Sequence, residues 1–314
     1  DFSIGFGKQL IGWTDKYKTK WKICWIPLGG YVKFFGDRNV FSQAEHSDLI
    51  NKLSDSEKEK LFVLKPLYQR SLIVAAGPLA NFLLAIIIFT LIFMFSGKDM
   101  TPALIDEVQA DSPAFIAGLK KNDRIISINN KKVNSILEVS TFISTSSSKK
   151  IEINILRDDQ IKSFLIEPKI MNTKDSFGNS INKRIIGIRL APYNNEFSYQ
   201  KLTPSKAIFY SLKEVWFVVS TTLQYIKNLI FGSADPAQLG GPIRIAKITG
   251  QVAEHGIIPF LSIMAYISIS LGLINLFPIP MLDGGHLAFY AIEKILGRPL
   301  KQKTQEGFYR IGLF

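Results

Sequence analysis

The sequence predicts an α+β membrane protein, a polytopic α-helical membrane domain with an extracytoplasmic β-rich domain, and three observations carry that expectation. Residues 71–95 are 25 uncharged positions, largely aliphatic and aromatic. As a helix they would span about 37 Å, against about 30 Å of hydrocarbon. Residues 259–277 form a second uncharged run of nineteen, opening on a helix-compatible proline and stopped by Pro278 and Pro280. Between the two, short β-prone runs alternate with turn clusters, as in a small sheet. Composition agrees, because 314 residues that are 47% hydrophobic are too apolar for a disordered or collagen-like chain.

Residues 1–70 are expected to form a membrane-associated β-rich segment and a cytoplasmic linker. The stretches 2–7, 20–26 and 30–35 are β-prone, with turns expected at Trp13-Thr14-Asp15-Lys16 and Pro27-Leu28-Gly29-Gly30. Trp13, Tyr17, Trp21, Trp25 and Tyr31 are interleaved with them. Such rings suit either an aromatic core or a bilayer interface, where the ring lies among headgroups and its polar atom stays wet. Residues 48–60 read as a charged linker or helix. Residues 71–95 are then the first transmembrane helix.

Residues 101–192 are expected to form the extracytoplasmic domain, with strands over 151–156, 163–166 and 185–190. Within 110–129, Ser112 and Pro113 start a short helix, Gly118 ends it, Asp123 makes a turn, and Ile125, Ile126 and Ile128 enter a strand. This stretch resembles the PDZ family, whose fold is a β-sandwich or barrel with short helices. The resemblance implies that peptide tails add a strand to a sheet edge, with a terminal carboxylate held by backbone N–H groups. Ile186-Gly187-Ile188 resembles the carboxylate loop of the permuted bacterial form, while a glycine in a strand also reads as a bulge or turn.

A third apolar stretch, 205–232, carries Lys206, Lys213, Ser220 and Lys227 at seven-residue intervals. That stripe predicts an amphipathic interfacial helix. A full span is the rival, at about 3 kcal/mol for each central charge. Flanking charge sets the topology: Lys52, Lys58, Lys60, Lys65 and Arg70 precede the first span, and Lys294, Arg298, Lys301, Lys303 and Arg310 follow the second. Both flanks, including 287–314, are therefore expected in the cytoplasm, and 98–258 on the other side. The net charge of +12 concentrates beside the spans. Membrane lipids explain it as partners, and nucleic acid is not expected.

Polar groups at membrane depth are costly and mark function. Asn81 follows Gly77 and Pro78 in the first span; Asn275 precedes Pro278 and Pro280, and Asp283 follows them in a second segment taken as 259–286. The prolines free backbone carbonyls, which membrane proteins tolerate only when buried by protein or lining a wet cavity. A carboxylate just after such a break suits an oxygen ligand for zinc, although Asp-Gly-Gly is also a turn signal. His286, three residues on, reads as a second ligand or as a hydrogen-bonded structural histidine. The lone Cys24 excludes an internal disulfide framework or a multi-thiolate zinc site, so any metal must be held by nitrogen and oxygen.

The run Asn275-x-x-Pro278-x-Pro280-x-Leu282-Asp283-Gly284-Gly285-His286 does not stand alone. With Gly77-Pro78-Leu79-Ala80-Asn81, the Phe2-Ser3-Ile4-Gly5-Phe6-Gly7 opening, and segments 26–33 and 241–247, it resembles the site-2 protease family of intramembrane zinc metalloproteases over nearly the whole chain. The nearest branch is the bacterial regulator of sigma-E protease. The resemblance implies that Asp283 is a zinc ligand beside two histidines of a His-Glu-x-x-His helix, whose Glu is the general base. It implies that Asn275 is catalytic, holding or polarising substrate, with Pro278 beside it in the substrate-binding strip. The implied substrates are single-span membrane proteins such as anti-sigma factors, cut in regulated proteolysis by a multi-pass protein of the bacterial inner membrane.

The chain departs from that pattern in two respects. It contains no His-Glu-x-x-His, and His46, His255 and His286 are far apart in sequence. In the family that helix lies just before the opening segment, so the chain is expected to begin downstream of it, as a truncated and inactive fragment. It also has room for one PDZ unit where the branch often has two. The alternative is a non-catalytic PDZ-containing membrane scaffold. A serine protease has little support, since no Gly-x-Ser-x-Gly occurs.

Overall fold

The computed structural model describes residues 1–32, 58, 61–174, 180–192, 196–232, 234, 236, 241–298, 300 and 307. The β-prone positions 33–35, His46, most of the charged run 48–60, and positions 301–306 and 308–314 lie outside the described residues. The chain divides into two compact units: Asp1–Leu79 with Ile274–Phe314, and Ala80–Leu273.

The first unit opens on an antiparallel hairpin of β1 (Phe2–Thr14) and β2 (Lys20–Val32), with Trp13 opposite Trp21 and Thr14 opposite Lys20. Asp15 makes the reversal. Its carboxylate accepts the backbone N–H of Tyr17 and Thr19 at 2.8 and 2.9 Å and the Trp21 indole N–H at 3.1 Å. The indole bond and those backbone bonds hold the Asp15 carboxyl below its ordinary value. β2 doubles back on itself: Ser3 pairs with both Lys22 and Tyr31 and Ile4 with both Ile23 and Gly30, so the chain reverses between Ile23 and Gly30, where the Pro27-Leu28-Gly29-Gly30 turn signal lies. Trp13 and Trp25 are 54% and 71% exposed, which is not the burial of an aromatic core.

Helix α1 (Leu67–Phe95) follows a single 3-10 turn at Phe62–Leu64 and contributes its residues through Leu79 to this unit. It carries Pro78 in its interior.

In the second unit β3 (Lys98–Asp99) pairs with β12 (Tyr199–Gln200). The main sheet is built from β4 (Leu104–Val108), β5 (Arg124–Ile128), β6 (Lys131–Lys132), β7 (Ile151–Arg157), β8 (Gln160–Ile166) and β11 (Ile188–Ala191), while β9 (Lys169–Lys174) and β10 (Ser180–Ile185) form a separate hairpin. The main sheet runs β11-β4-β5-β7-β8, with β6 beside β5, so β11 is an edge. Its core is aliphatic: Ile151, Ile153 and Ile155 alternate inward along β7 and are fully buried.

Helix α2 (Pro113–Ala117) begins as its sequence requires. The Ser112 hydroxyl accepts the Phe115 N–H at 3.1 Å, Pro113 sets the first turn, and Gly118 ends the helix at φ +89°. The expected strand over 185–190 is broken, since β10 stops at Ile185 and Gly187 turns the chain at φ +79° before β11. Helix α3 (Ile136–Thr145) docks on α4 (Pro204–Ile230) through a Phe142–Phe217 ring contact at 5.7 Å and a hydrogen bond from the Asn228 amide to the Thr145 carbonyl at 2.6 Å.

Helices α5 (Pro242–Ala253) and α6 (Ile257–Asn275) complete this unit. Small and hydroxylated residues close the helix contacts: the Ser268 hydroxyl donates to the Asn81 carbonyl at 2.9 Å, and the Thr90 and Ser211 hydroxyls lie 2.9 Å apart. Leu83 and Leu91 of α1 and Leu271 of α6 remain about half exposed. Among the described residues, α1 and α6 are the two helices long and apolar enough to cross a membrane.

Candidate functional site

The run from Asn275 to His286 is two helices with a break, not one continuous rod. Helix α6 ends at Asn275, and α7 (Asp283–Leu296) starts eight residues later. The linker is pinned by its own backbone: Phe277 N–H donates to the Ile274 carbonyl at 3.0 Å, Ile279 to Phe277 at 2.7 Å, and Leu282 to Ile279 at 3.2 Å. Met281 takes φ +76°, a left-handed value rare for a side-chain-bearing residue. Pro278 lies exposed within the linker.

The two glycines after Asp283 explain how this loop closes. A Cβ on residue 284 would stand 2.2 Å from the Leu276 carbonyl oxygen, and one on residue 285 would stand 2.3 Å from that of Ile279. Only glycine admits such an approach of loop carbonyls to the first turn of α7. The Asp-Gly-Gly signal therefore marks a packing requirement as well as a turn.

Asp283 occupies the first helical position of α7, where aligned peptide dipoles favour negative charge. It is half-buried, and its carboxylate has no hydrogen-bond or ion-pair partner among the described residues. The oxygen Oδ2 points at α1, where a Cβ on residue 77 would lie 3.3 Å from it; Gly77 leaves that space open. His286 is half-buried one turn on and interacts electrostatically with Asp283. Asn275 is half-buried at the end of α6.

One seam sets where Asp283 stands. The Arg70 guanidinium lies 5.0 Å from the Tyr290 ring centroid and 3.7 Å from the Glu293 carboxylate, and its Nε donates to the Lys65 carbonyl at 3.0 Å. Glu293, only 7% exposed, also accepts the Leu300 N–H at 3.1 Å. Arg70 and Gly77 are seven residues apart on α1, as are Asp283 and Tyr290 on α7. Seven residues are about 10.5 Å of helix, so the two contacts lie along one side of each rod. Arg70 was read from the sequence only as a flanking charge, and Tyr290, Glu293 and the glycine contacts were not singled out; the matching intervals were the available signal.

The second predicted constellation, Ile186-Gly187-Ile188, is brought against the start of α2. Ile186 is buried and its carbonyl accepts the Ala114 N–H at 2.9 Å; the Gly187 carbonyl accepts the Gln109 N–H at 2.9 Å. A Cβ on residue 187 would sit 2.3 Å from the Ser112 Cβ, so glycine is needed there for packing. The loop leads directly into the edge strand β11.

No group of three or more His, Cys, Asp or Glu side chains suited to a metal ion occurs among the described residues. Asp283 offers a single carboxylate.

Residues 1–314 match the description of Peptidase family M50. The chain is 41% identical over 312 residues to the "Putative zinc metalloprotease Atu1380" of Agrobacterium fabrum, covering 99% of this chain and 82% of that protein. It is 38% identical over 315 residues to the correspondingly named mll0638 of Mesorhizobium japonicum, covering 99% and 85%. Among solved structures, the PDZ domain of an SdrC-like protein from Listeria monocytogenes is 23% identical, with a TM-score of 0.24, over 29% of this chain and 87% of that one.

Proposed function

The chain belongs to Peptidase family M50, and on that premise we propose that it serves as a zinc metalloprotease, hydrolysing a peptide bond of a single-span membrane protein in or beside the bilayer. Asp283 is the carboxylate ligand of the zinc. The observation that carries this reading is a half-buried carboxylate, without a hydrogen bond or ion pair among the described residues, aimed at a glycine of an apolar helix. The donor chemistry fits, since zinc takes carboxylate oxygen and imidazole nitrogen and the only thiol, Cys24, is buried elsewhere in β2. When bound, zinc polarises a carbonyl and lowers the pKa of its water.

The remaining roles belong to this chain's own groups. Asn275 holds the substrate backbone at the end of α6, and the exposed linker around Pro278 gives an unwound segment a place to lie. Helical peptide bonds in lipid are internally satisfied, so a substrate must unwind beside irregular backbone to be cut. In the domain of residues 101–192, a peptide tail adds to β11 with its carboxylate at Ile186-Gly187-Ile188, the PDZ mode. Helices α1 and α6 cross the bacterial inner membrane with both outer flanks cytoplasmic, and α4 lies along its surface.

The test is zinc content and cleavage of a single-span substrate by the full-length protein and its Asp283→Ala variant. Loss of both supports the assignment. Undiminished cleavage in the variant overturns it.

A further inference from the structure

The second unit carries a half-open cavity of about 500 Å³ that the peptidase reading does not use. It lies where α1 ends, α6 begins, and the first turn of α3 meets α4; Ser96, Lys98 and Asp99 line one side, with Ile258 and Pro259 on another. Part of its wall is apolar, with Phe89, Phe93, Leu137 and Phe217 among the lining side chains.

The polar part is acidic. Lys98 is neutralised by Glu214 at 2.9 Å, and Tyr266 donates its hydroxyl to the same Glu214 at 3.1 Å. The Lys98 ammonium also rests 4.8 Å from the Phe93 ring centroid. Two further carboxylates line the cavity; their hydrogen-bond donors are neutral, and Lys98 acts on Glu138 through charge alone. Glu138 accepts the Asn134 backbone N–H at 2.7 Å, and Asp99 accepts the Thr101 N–H at 2.9 Å and the Thr101 hydroxyl. Burial pushes the Glu138 carboxyl up. Acids in a partly apolar cavity are complemented by a cation.

We propose that this cavity binds the headgroup of a phospholipid bearing a primary ammonium, phosphatidylethanolamine in chemical terms. Its ammonium faces Glu138 and Asp99, and an acyl chain follows the rings of α1. The assignment rests on the reading that α1 and α6 span the bilayer, because that reading puts their adjoining ends at headgroup level. A primary ammonium is preferred over a quaternary one because the carboxylates need hydrogen-bond donors.

The experiment places the full-length protein in nanodiscs containing equal parts phosphatidylethanolamine, phosphatidylcholine and phosphatidylglycerol, and counts retained lipid by native mass spectrometry. The wild type should retain one phosphatidylethanolamine per chain at about tenfold excess over either competitor. Glu138→Gln should bring the three heads close to parity, and Ile258→Trp, which fills the apolar side, should remove the retained lipid whatever its head. Equal retention of the three lipids by inserted wild-type protein overturns the lipid site, with no variant needed. So does an undiminished excess in Glu138→Gln, or displacement of no lipid by a lysine-bearing peptide that itself binds the cavity. Failure of the protein to insert at all would instead overturn the spanning reading, so the two failures are distinguishable.

Discussion

Asp123 and Asp283 are two carboxylates treated in opposite ways. Asp123 is 1% exposed in the β-rich domain, and Arg157 meets both its oxygens, at 2.6 and 2.7 Å, while the Lys120 N–H adds a third bond at 2.8 Å. Asp283 is half-buried at the start of α7 with no such answer among the described residues. Removing a carboxylate from water without compensation costs free energy that a folded chain must recover elsewhere. An acid fully satisfied within the chain is architecture. The one left without a hydrogen bond or ion pair is the one that the proposed zinc reading uses.

The largest expected effect falls on the open acid. Asp283→Ala in the full-length protein should lower cleavage by at least about 100-fold, as loss of a metal-site group does, and leave the unfolding midpoint nearly unmoved. A matching loss of stability would erase the contrast with Asp123. Arg157→Met strands the closed acid and should cost about 3–5 kcal/mol, read by urea unfolding with hydrogen exchange on β5 and β7. Adding Asp123→Asn to that variant should recover part of the loss.

Gly284→Ala comes next, at about 1–3 kcal/mol, because its Cβ would meet a backbone carbonyl at 2.2 Å. Gly77→Ala presses at 3.3 Å on a carboxylate that can yield, so its thermal shift should be smaller than that of Gly284→Ala while zinc content still falls. The smallest effect is Glu138→Gln. Burial raises the Glu138 carboxyl, so the folded state binds the proton more tightly than the unfolded chain, and stability declines as pH rises above the ordinary value of 4.5. Gln removes that decline. The variant should melt higher than wild type at neutral pH and show no such gain at about pH 4.

What could be read in advance was local. Ser112, Pro113 and Gly118 specify α2 because a cap, a first-turn proline and a left-handed glycine act within a few residues. The two apolar helices follow from uninterrupted composition. What escaped was contact across sequence. Asp123 was legible as a turn, but its partner Arg157 lies 34 residues away. The glycines after Asp283 were legible as a turn, but not as the seats of carbonyls from the linker before them. Pro27-Leu28-Gly29-Gly30 was legible as a reversal, but the pairing of the segments on its two sides with both Ser3 and Ile4 was not. The cavity around Glu138 gathers five separate stretches of chain, which no window of sequence displays.

The paired seven-residue intervals on α1 and α7 make the Arg70 clamp and the Gly77 notch a vernier. Sliding one rod against the other by a single residue, about 1.5 Å, would pull the guanidinium off Glu293 and jam the Asp283 carboxylate against a bulkier neighbour together. Alignment of the acid is thereby gauged at a distance by a charge pair that touches no reactant.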